Sequence, residues 1–137
     1  MIALDTNILA RYYVRDEADA ESPRQHARVV KLLSGPGKFF VAKTVLLEFE
    51  WVLRGFYGHD RKEILTVFDH LRGLPMVRLE DAEVVGAAIE SYRAGLDFAD
   101  ALHLASSGQC EKFATFDDRG FARSATRLKL KPPVVLP

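Results

Sequence analysis

The sequence is poor in cysteine and has no long hydrophobic run. Its single cysteine, Cys110, excludes an internal disulfide and a cysteine-based zinc site. No stretch approaches the roughly 18 apolar residues that a membrane-spanning helix needs. The first residues also lack the basic segment of a signal peptide, and Asp5 interrupts their short apolar run. These absences predict a protein of the reducing cytoplasm with no membrane partner.

The chain also lacks net charge, because its nineteen basic residues balance nineteen acidic ones. The overall charge therefore does not mark a nucleic-acid-binding protein. The distribution is uneven: residues 80–118 are rich in Asp and Glu, whereas every charged residue after Asp118 is basic. An acidic region followed by a basic tail could pair a metal site with a phosphate-binding rim, although such asymmetry is also common on inert surfaces.

The length of 137 residues suits one ordinary domain with a real core and is too short for two comfortable ones. Hydrophobic patterning and turn residues predict strands over residues 2–4, 39–42, 76–79 and 113–116, with a short apolar end at 134–136. The same signals predict helices over residues 6–13, 22–34, 45–56, 60–73, 81–95 and 97–108. This alternation predicts a single α/β domain over residues 1–137, a three-layer α/β/α architecture with a mainly parallel central sheet.

Three of these helices have local signals at their starts. Ser22 is the predicted cap of the second helix, with Gln25 placed to close a capping box. Thr44 is the predicted cap of the helix over residues 45–56. Asp60 and Glu63 have the spacing of a second capping box.

Glu48 is the acidic residue that this patterning explains least. On a helix, its neighbours three and four residues away are mostly apolar and include no cation. A carboxylate in such a stripe is unfavourable unless something pairs with it, and a helix that turns Glu48 to the surface is the alternative. Glu50, by contrast, has Arg54 one turn later and needs no special role.

Two further acids directly follow predicted strands, Asp5 after the first and Asp117 after the fourth. Ligands of parallel sheets bind beyond the carboxyl ends of the strands, so both side chains are expected at that edge. Polar turns or helix caps are the alternative explanation for both positions, because Asp, Asn and Thr all favour such sites.

Asp97 and Asp100 open the helix predicted over residues 97–108. Asp97 suits the N-cap, and Asp100 gains from the positive end of the helix dipole, so a well-capped helix could explain both. His103, one turn after Asp100, could be a metal ligand, although a lone histidine is more often structural.

Several carboxylates brought close together repel one another, and a cation would compensate for that repulsion. Without a cysteine or a set of histidines, Mg²⁺ or Mn²⁺ is favoured over zinc. A hard cation held by carboxylates and water is suited to the hydrolysis of phosphodiesters. The joint placement of the four acids therefore predicts a metal site of that kind, formed by Asp5, Glu48, Asp100 and Asp117.

Four segments resemble, in order, the successive motifs of PIN-domain nucleases: LDTN at residues 4–7, LLEF at 46–49, DFADALH at 97–103 and ATFD at 114–117. More narrowly, the chain is similar to the VapC-type toxins of type II toxin–antitoxin systems. The resemblance implies a Mg²⁺- or Mn²⁺-dependent endoribonuclease. In it, the residues that hold the metal and position the attacking water would be Asp5, Glu48, Asp100 and Asp117.

The resemblance also implies residues that support this quartet. Asn7 and Thr115 would orient the carboxylates, and Asp97 would be a further contributor besides its role as a cap. The fourth acid has an alternative. The Thr-x-Asp spacing selects Asp117, whereas counting back from the following phenylalanine selects Asp118.

A VapC-like protein is expected to cleave single-stranded or loop regions of RNA, to form a homodimer and to be silenced by a small antitoxin protein. Arg11, Arg15 and the basic tail could contact the RNA backbone. The apolar side chains of residues 46–57 are expected to pack mainly in the core, with a dimer or antitoxin surface as the alternative. Two other functions stay open: a PIN-type RNA-processing nuclease outside any toxin module, and a catalytically silent PIN-fold interaction domain.

Overall fold

The structure is a computed structural model that describes all residues, Met1–Pro137. The five strands are β1 (Ile2–Ala3), β2 (Phe39–Val41), β3 (Val77–Leu79), β4 (Phe113–Ala114) and β5 (Val134–Val135). The seven α-helices are α1 (Thr6–Tyr13), α2 (Ser22–Leu33), α3 (Lys43–Trp51), α4 (Arg61–Gly73), α5 (Ala82–Arg93), α6 (Phe98–Ala105) and α7 (Arg123–Arg127). Every strand pairing is parallel, which confirms the predicted α/β class. No helix combines the length and the hydrophobicity that crossing a membrane requires.

Packing divides the chain into two compact units, Met1–Glu80 and Asp81–Pro137. The first unit contains a three-stranded sheet in the order β1-β2-β3. Two helices connect β1 to β2 and two more connect β2 to β3, because parallel neighbours need long crossover connections. The central strand is buried through Phe39 and Val41, and α3 and α4 bring Phe49 and Phe68 together with ring centroids 6.4 Å apart.

The second unit contains α5, α6, α7 and the two-stranded sheet β4-β5. Tyr92 of α5 and Phe98 of α6 meet edge to face, with ring centroids 5.4 Å apart. Gly95 has a φ of +114° between these helices, a backbone conformation that favours glycine. This turn ends α5 and places Asp97 at the start of α6.

Two of the predicted helix caps are wrong, because other contacts occur at both helix starts. The hydroxyl of Ser22 accepts a hydrogen bond from the backbone N–H of Asp16, and α2 has no side-chain cap. Helix α3 begins at Lys43, one residue before Thr44, and the Lys43 N–H donates to a Glu80 carboxylate oxygen at 2.8 Å. The capping box of α4, in contrast, depends on adjacent residues and is present as predicted.

The helix predicted over residues 45–56 changes character part-way. Helix α3 ends at Trp51 and continues as a π-helical turn, Val52–Phe56. The backbone N–H of Tyr57 donates to the carbonyl oxygen of Val52, five residues earlier, at 3.1 Å. Such widened turns are rare and are often found at functional sites.

Candidate active site

Asp5 is held at the end of β1 by both the sheet and the first helix. The N–H of Leu4 donates to the carbonyl oxygen of Phe40 at 2.9 Å and fixes the end of the strand. Asp5 is then the N-cap of α1, and its Oδ1 accepts from the N–H of Thr6 at 2.8 Å. The cap uses one carboxylate oxygen and leaves Oδ2 for another partner.

Thr6 joins Asp5 to Glu48, which lies on α3. The Thr6 hydroxyl donates a hydrogen bond to Oε1 of Glu48, while its backbone N–H donates to Asp5. The Thr6 residue is only 6% exposed, so packing holds this bridge in place. Both carboxylates line a cleft of about 340 Å³ in the first unit. Sequence reasoning assigned no role to Thr6, although its place between Asp5 and Asn7 in the first motif was a signal for one.

The expectation that Glu48 lies in a buried stripe is wrong, and the buried acid is Glu50. Glu48 is exposed, whereas Glu50 is only 3% exposed. Helix α3 buries Leu46, Phe49 and Glu50 on one face, and the same 3.6-residue spacing could have revealed this. The predicted pairing of Glu50 with Arg54 is present, with Nε and Oε2 2.9 Å apart.

A second group of acids lies in the unit Asp81–Pro137. Asp97 is the N-cap of α6, as predicted, and its Oδ2 accepts from the N–H of Asp100 at 3.2 Å. Burial raises the pKa of the Asp100 carboxyl, and the nearby negative charges of Asp97 and Asp117 raise it further. His103 opposes this shift and lowers the Asp100 pKa. The carboxylates of this unit thus repel one another, and a bound cation would relieve that repulsion.

Asp117 is fixed by the turn that follows β4. Its backbone N–H donates to the hydroxyl of Thr115 at 3.1 Å, and its Oδ1 accepts from the N–H of Gly120 at 2.8 Å. A Cβ atom at residue 120 would lie 2.9 Å from Oδ2 of Asp117. Any residue other than glycine at position 120 would therefore displace the Asp117 carboxylate.

Asp118, the alternative fourth acid, has a different partner. Its Oδ2 lies 3.1 Å from Nη2 of Arg123, on the helix that follows. The carboxylates that raise the pKa of Asp100 are those of Asp97 and Asp117. These contacts favour Asp117 over Asp118 as the acid that acts with Asp100.

A sequence model of the PIN domain matches residues 2–126 of the 137. The chain belongs to the PIN-domain family. PIN domains are in general metal-dependent nucleases, so the family places this chain among hydrolases that act on nucleic acids. The match covers most of both units. No curated protein matches the chain.

The donor groups of this PIN domain fit a hard divalent cation. The candidate ligands are all carboxylates, whose oxygen atoms suit Mg²⁺ or Mn²⁺. The pKa of Asp100 is raised by burial and by the negative charges of Asp97 and Asp117, and a cation would offset those charges. No set of three or more His, Cys, Asp or Glu side chains is close enough to hold an ion as the side chains stand.

The resemblance implies that Thr115 and Asn7 orient the carboxylates, but the two side chains make different contacts. Thr115 bonds the backbone of Asp117 and so supports that turn. Asn7 is an exposed residue in the same cleft as Asp5 and Glu48, and its side chain bonds neither of them. Thr6 makes the bond to Glu48 in its place.

We expect Thr6→Val to lower the nuclease activity of this PIN domain by about 10- to 100-fold, the usual effect of losing a group that orients a metal ligand. Valine matches the shape of threonine but cannot donate to Glu48. The measurement is the cleavage rate at saturating Mn²⁺, with Thr6→Ser as the control because serine keeps the hydroxyl. Equal rates for the Val and Ser variants would show that the hydrogen bond has no role in orienting Glu48.

Proposed function

We propose that this PIN domain is a divalent-metal-dependent endoribonuclease and the toxin of a toxin–antitoxin pair. The observation that carries the proposal is the fixed placement of acids at the motif positions. Thr6 bridges Asp5 and Glu48, and the charges of Asp100 and Asp117 interact. None of the four acids is buried in the core.

In the proposed reaction, Asp5, Glu48, Asp100 and Asp117 hold Mg²⁺ or Mn²⁺. The bound ion would polarise the phosphodiester and lower the pKa of a water molecule. The residues of the chain supply the orientation. The cap at the start of α1 fixes Asp5, the Thr6 hydroxyl fixes Glu48, and the turn at Gly120 fixes Asp117. In the hydrolysis, the attacking water would lose a proton to solvent and form a bond to phosphorus, while the bond from phosphorus to the leaving oxygen breaks and that oxygen takes up a proton from solvent.

Sequencing of RNA ends after a brief induction tests the proposal in cells, with purified protein and the same RNA as a parallel assay. We expect new RNA ends with the native chain, none with Asp5→Asn, and loss of cleavage in EDTA that Mn²⁺ restores. Glu17→Gln is the matched control, since it also removes one exposed carboxylate but lies outside both groups of acids. Full activity in EDTA would exclude the metal mechanism, and a wholly inactive native protein would favour the silent interaction domain.

The proposed partners are a small antitoxin protein and a second copy of this chain. A groove of about 510 Å³ along α1 and α2 supports a peptide partner with an acidic and hydrophobic tail, because Ile8, Val29 and Leu32 line it together with Arg28. Expression alone should arrest growth, and co-expression with the product of a small neighbouring gene should relieve the arrest. RNA cleavage without growth arrest would favour an RNA-processing role instead. Sedimentation of the purified chain tests the homodimer.

A further inference from the structure

Two large aromatic side chains are exposed in the cleft that holds Asp5 and Glu48. Trp51 is 60% exposed and Phe56 is 71% exposed, and both line this cleft together with the two carboxylates. Core packing was expected for most apolar residues of this segment, and it does hold for Leu53, which is fully buried. The two rings are therefore exceptions that the stability of the core does not explain.

The indole of Trp51 lies flat against the helix. A Cβ placed on Gly55, one turn later, would lie 3.6 Å from Cε2 of the indole and 3.8 and 3.9 Å from the two atoms bonded to it, Nε1 and Cζ2. A point in the ring plane beside this edge would lie nearer to Nε1 or Cζ2 than to Cε2. Because Cε2 is the nearest of the three atoms, the Cβ position lies above the ring plane. One face of the indole is therefore turned toward Gly55, and the side chain is 60% exposed, which leaves the opposite face open.

The π-helical turn explains how Phe56 reaches the same cleft as Trp51. In a continuous α-helix, two residues five positions apart project about 140° from each other. In the turn Val52–Phe56 the hydrogen bond spans five residues, so that five residues approach one full turn. The widened turn thus brings Trp51 and Phe56 onto one side of the helix, where both line the cleft.

We propose that Trp51 and Phe56 form a stacking platform for the unpaired bases of single-stranded RNA, next to Asp5 and Glu48. This inference rests on the proposed nuclease function. Open aromatic faces bind successive bases with little dependence on sequence, and bases inside a duplex cannot reach them. A base stacked on Trp51 lies in the cleft of the two carboxylates, so its phosphodiester is delivered to the acids that would cleave it.

The other groups of the cleft favour a nucleic acid over a protein as the occupant. Besides the aromatic rings and the two carboxylates, Asn7 and Arg11 also line the cleft. The core of a stable protein interface is depleted in charged residues, whereas single-stranded nucleic acids combine flat bases with a charged backbone. Asp5, Glu48 and Arg11 line this cleft beside the rings, so its composition differs from that of a protein interface core.

Intrinsic fluorescence provides a direct test, because Trp51 is the only tryptophan of the chain. The full chain carrying Asp5→Asn, which should not cleave, is titrated with an eight-nucleotide single-stranded RNA in Mn²⁺. We expect saturable quenching of the Trp51 emission. An oligonucleotide of the same length without bases and a blunt RNA duplex should cause little quenching. Equal quenching by the oligonucleotide without bases would overturn the platform.

Variants that separate stacking from apolar contact complete the test. Trp51→Leu and Phe56→Leu keep an apolar side chain but remove the aromatic face, and each should weaken binding of labelled single-stranded RNA about tenfold. Trp51→Phe and Phe56→Tyr should bind nearly as well as the native chain.

If the Leu variants cleave and bind RNA normally while Asp5→Asn is inactive, the platform is wrong and the nuclease proposal stands. If they instead change the sedimentation of the protein, the rings form a protein contact and the platform is also wrong. Absence of any cleavage by the native chain would count against both proposals.

Discussion

Glu48→Gln should lower RNA cleavage by at least about a hundredfold and leave the free energy of unfolding within about 0.5 kcal/mol of native. Glu48 is exposed, so the core does not depend on it. The amide oxygen of glutamine can still accept the hydrogen bond from Thr6, but the negative charge that would bind the cation is gone. The measurements are the cleavage rate in Mn²⁺ and urea unfolding of the same preparation.

Glu50→Gln is the matched control, two residues further along the same helix. Glu50 is buried and paired with Arg54, so the substitution should lower the free energy of unfolding by roughly 1–2 kcal/mol, which is below the usual penalty for breaking a buried pair. The penalty is limited because the Arg54 side chain is 51% exposed and can turn to solvent. Cleavage should persist at temperatures where the variant is folded. Loss of cleavage in folded Glu50→Gln, with normal cleavage by Glu48→Gln, would reverse the assignment of the two acids.

Asp100→Asn should make the protein more stable in EDTA at neutral pH while removing its activity. The pKa of Asp100 is raised in the folded state by burial and by the neighbouring carboxylates. A raised pKa means that the folded chain binds the proton more tightly than the unfolded chain, so ionisation of Asp100 destabilises the fold as the pH rises. Solvent screening limits the gain from the neutral amide to roughly 0.5 kcal/mol. The gain should vanish below about pH 4, the usual range of an aspartate, where Asp100 is protonated in both states.

Added Mn²⁺ should reverse this order of stability. The native chain should gain about 2.7 kcal/mol at a metal concentration one hundred times the dissociation constant, because the ion binds only the folded state. Asp100→Asn should gain much less, since it lacks one ligand. Urea unfolding at about pH 7 and about pH 3, with EDTA or Mn²⁺, measures both effects. An equal gain from Mn²⁺ in both proteins would show that Asp100 is not a ligand.

Elements with local signals could be predicted from the sequence. The first helix was predicted with its observed bounds because Asp5 caps it, and α4 was placed by the box that Asp60 and Glu63 form. The start of α3 was missed by two residues, because its partner Glu80 lies at the end of another strand. The π-helical turn after Trp51 also has no local signature in the sequence.

The candidate site was predictable to the level of its motifs. The positions of Asp5, Glu48, Asp100 and Asp117 come from the resemblance of four segments to PIN motifs, and the family match supports that resemblance. The exposure of Glu48 was not predictable in the same way. Its helical neighbours are mostly apolar, but one of them, Trp51, is itself exposed, so apolar neighbours do not place Glu48 in the core. The bridge from Thr6 to Glu48 spans 42 residues and needs the folded chain to be seen.

Calorimetric titration with Mn²⁺ of the native chain, Asp5→Asn and Asp117→Asn tests most directly whether these two acids are metal ligands. We expect saturable Mn²⁺ binding by the native chain and at least about tenfold weaker binding by each variant. Native affinity for Mn²⁺ in either variant, or no binding by the native chain at millimolar Mn²⁺, would contradict this expectation.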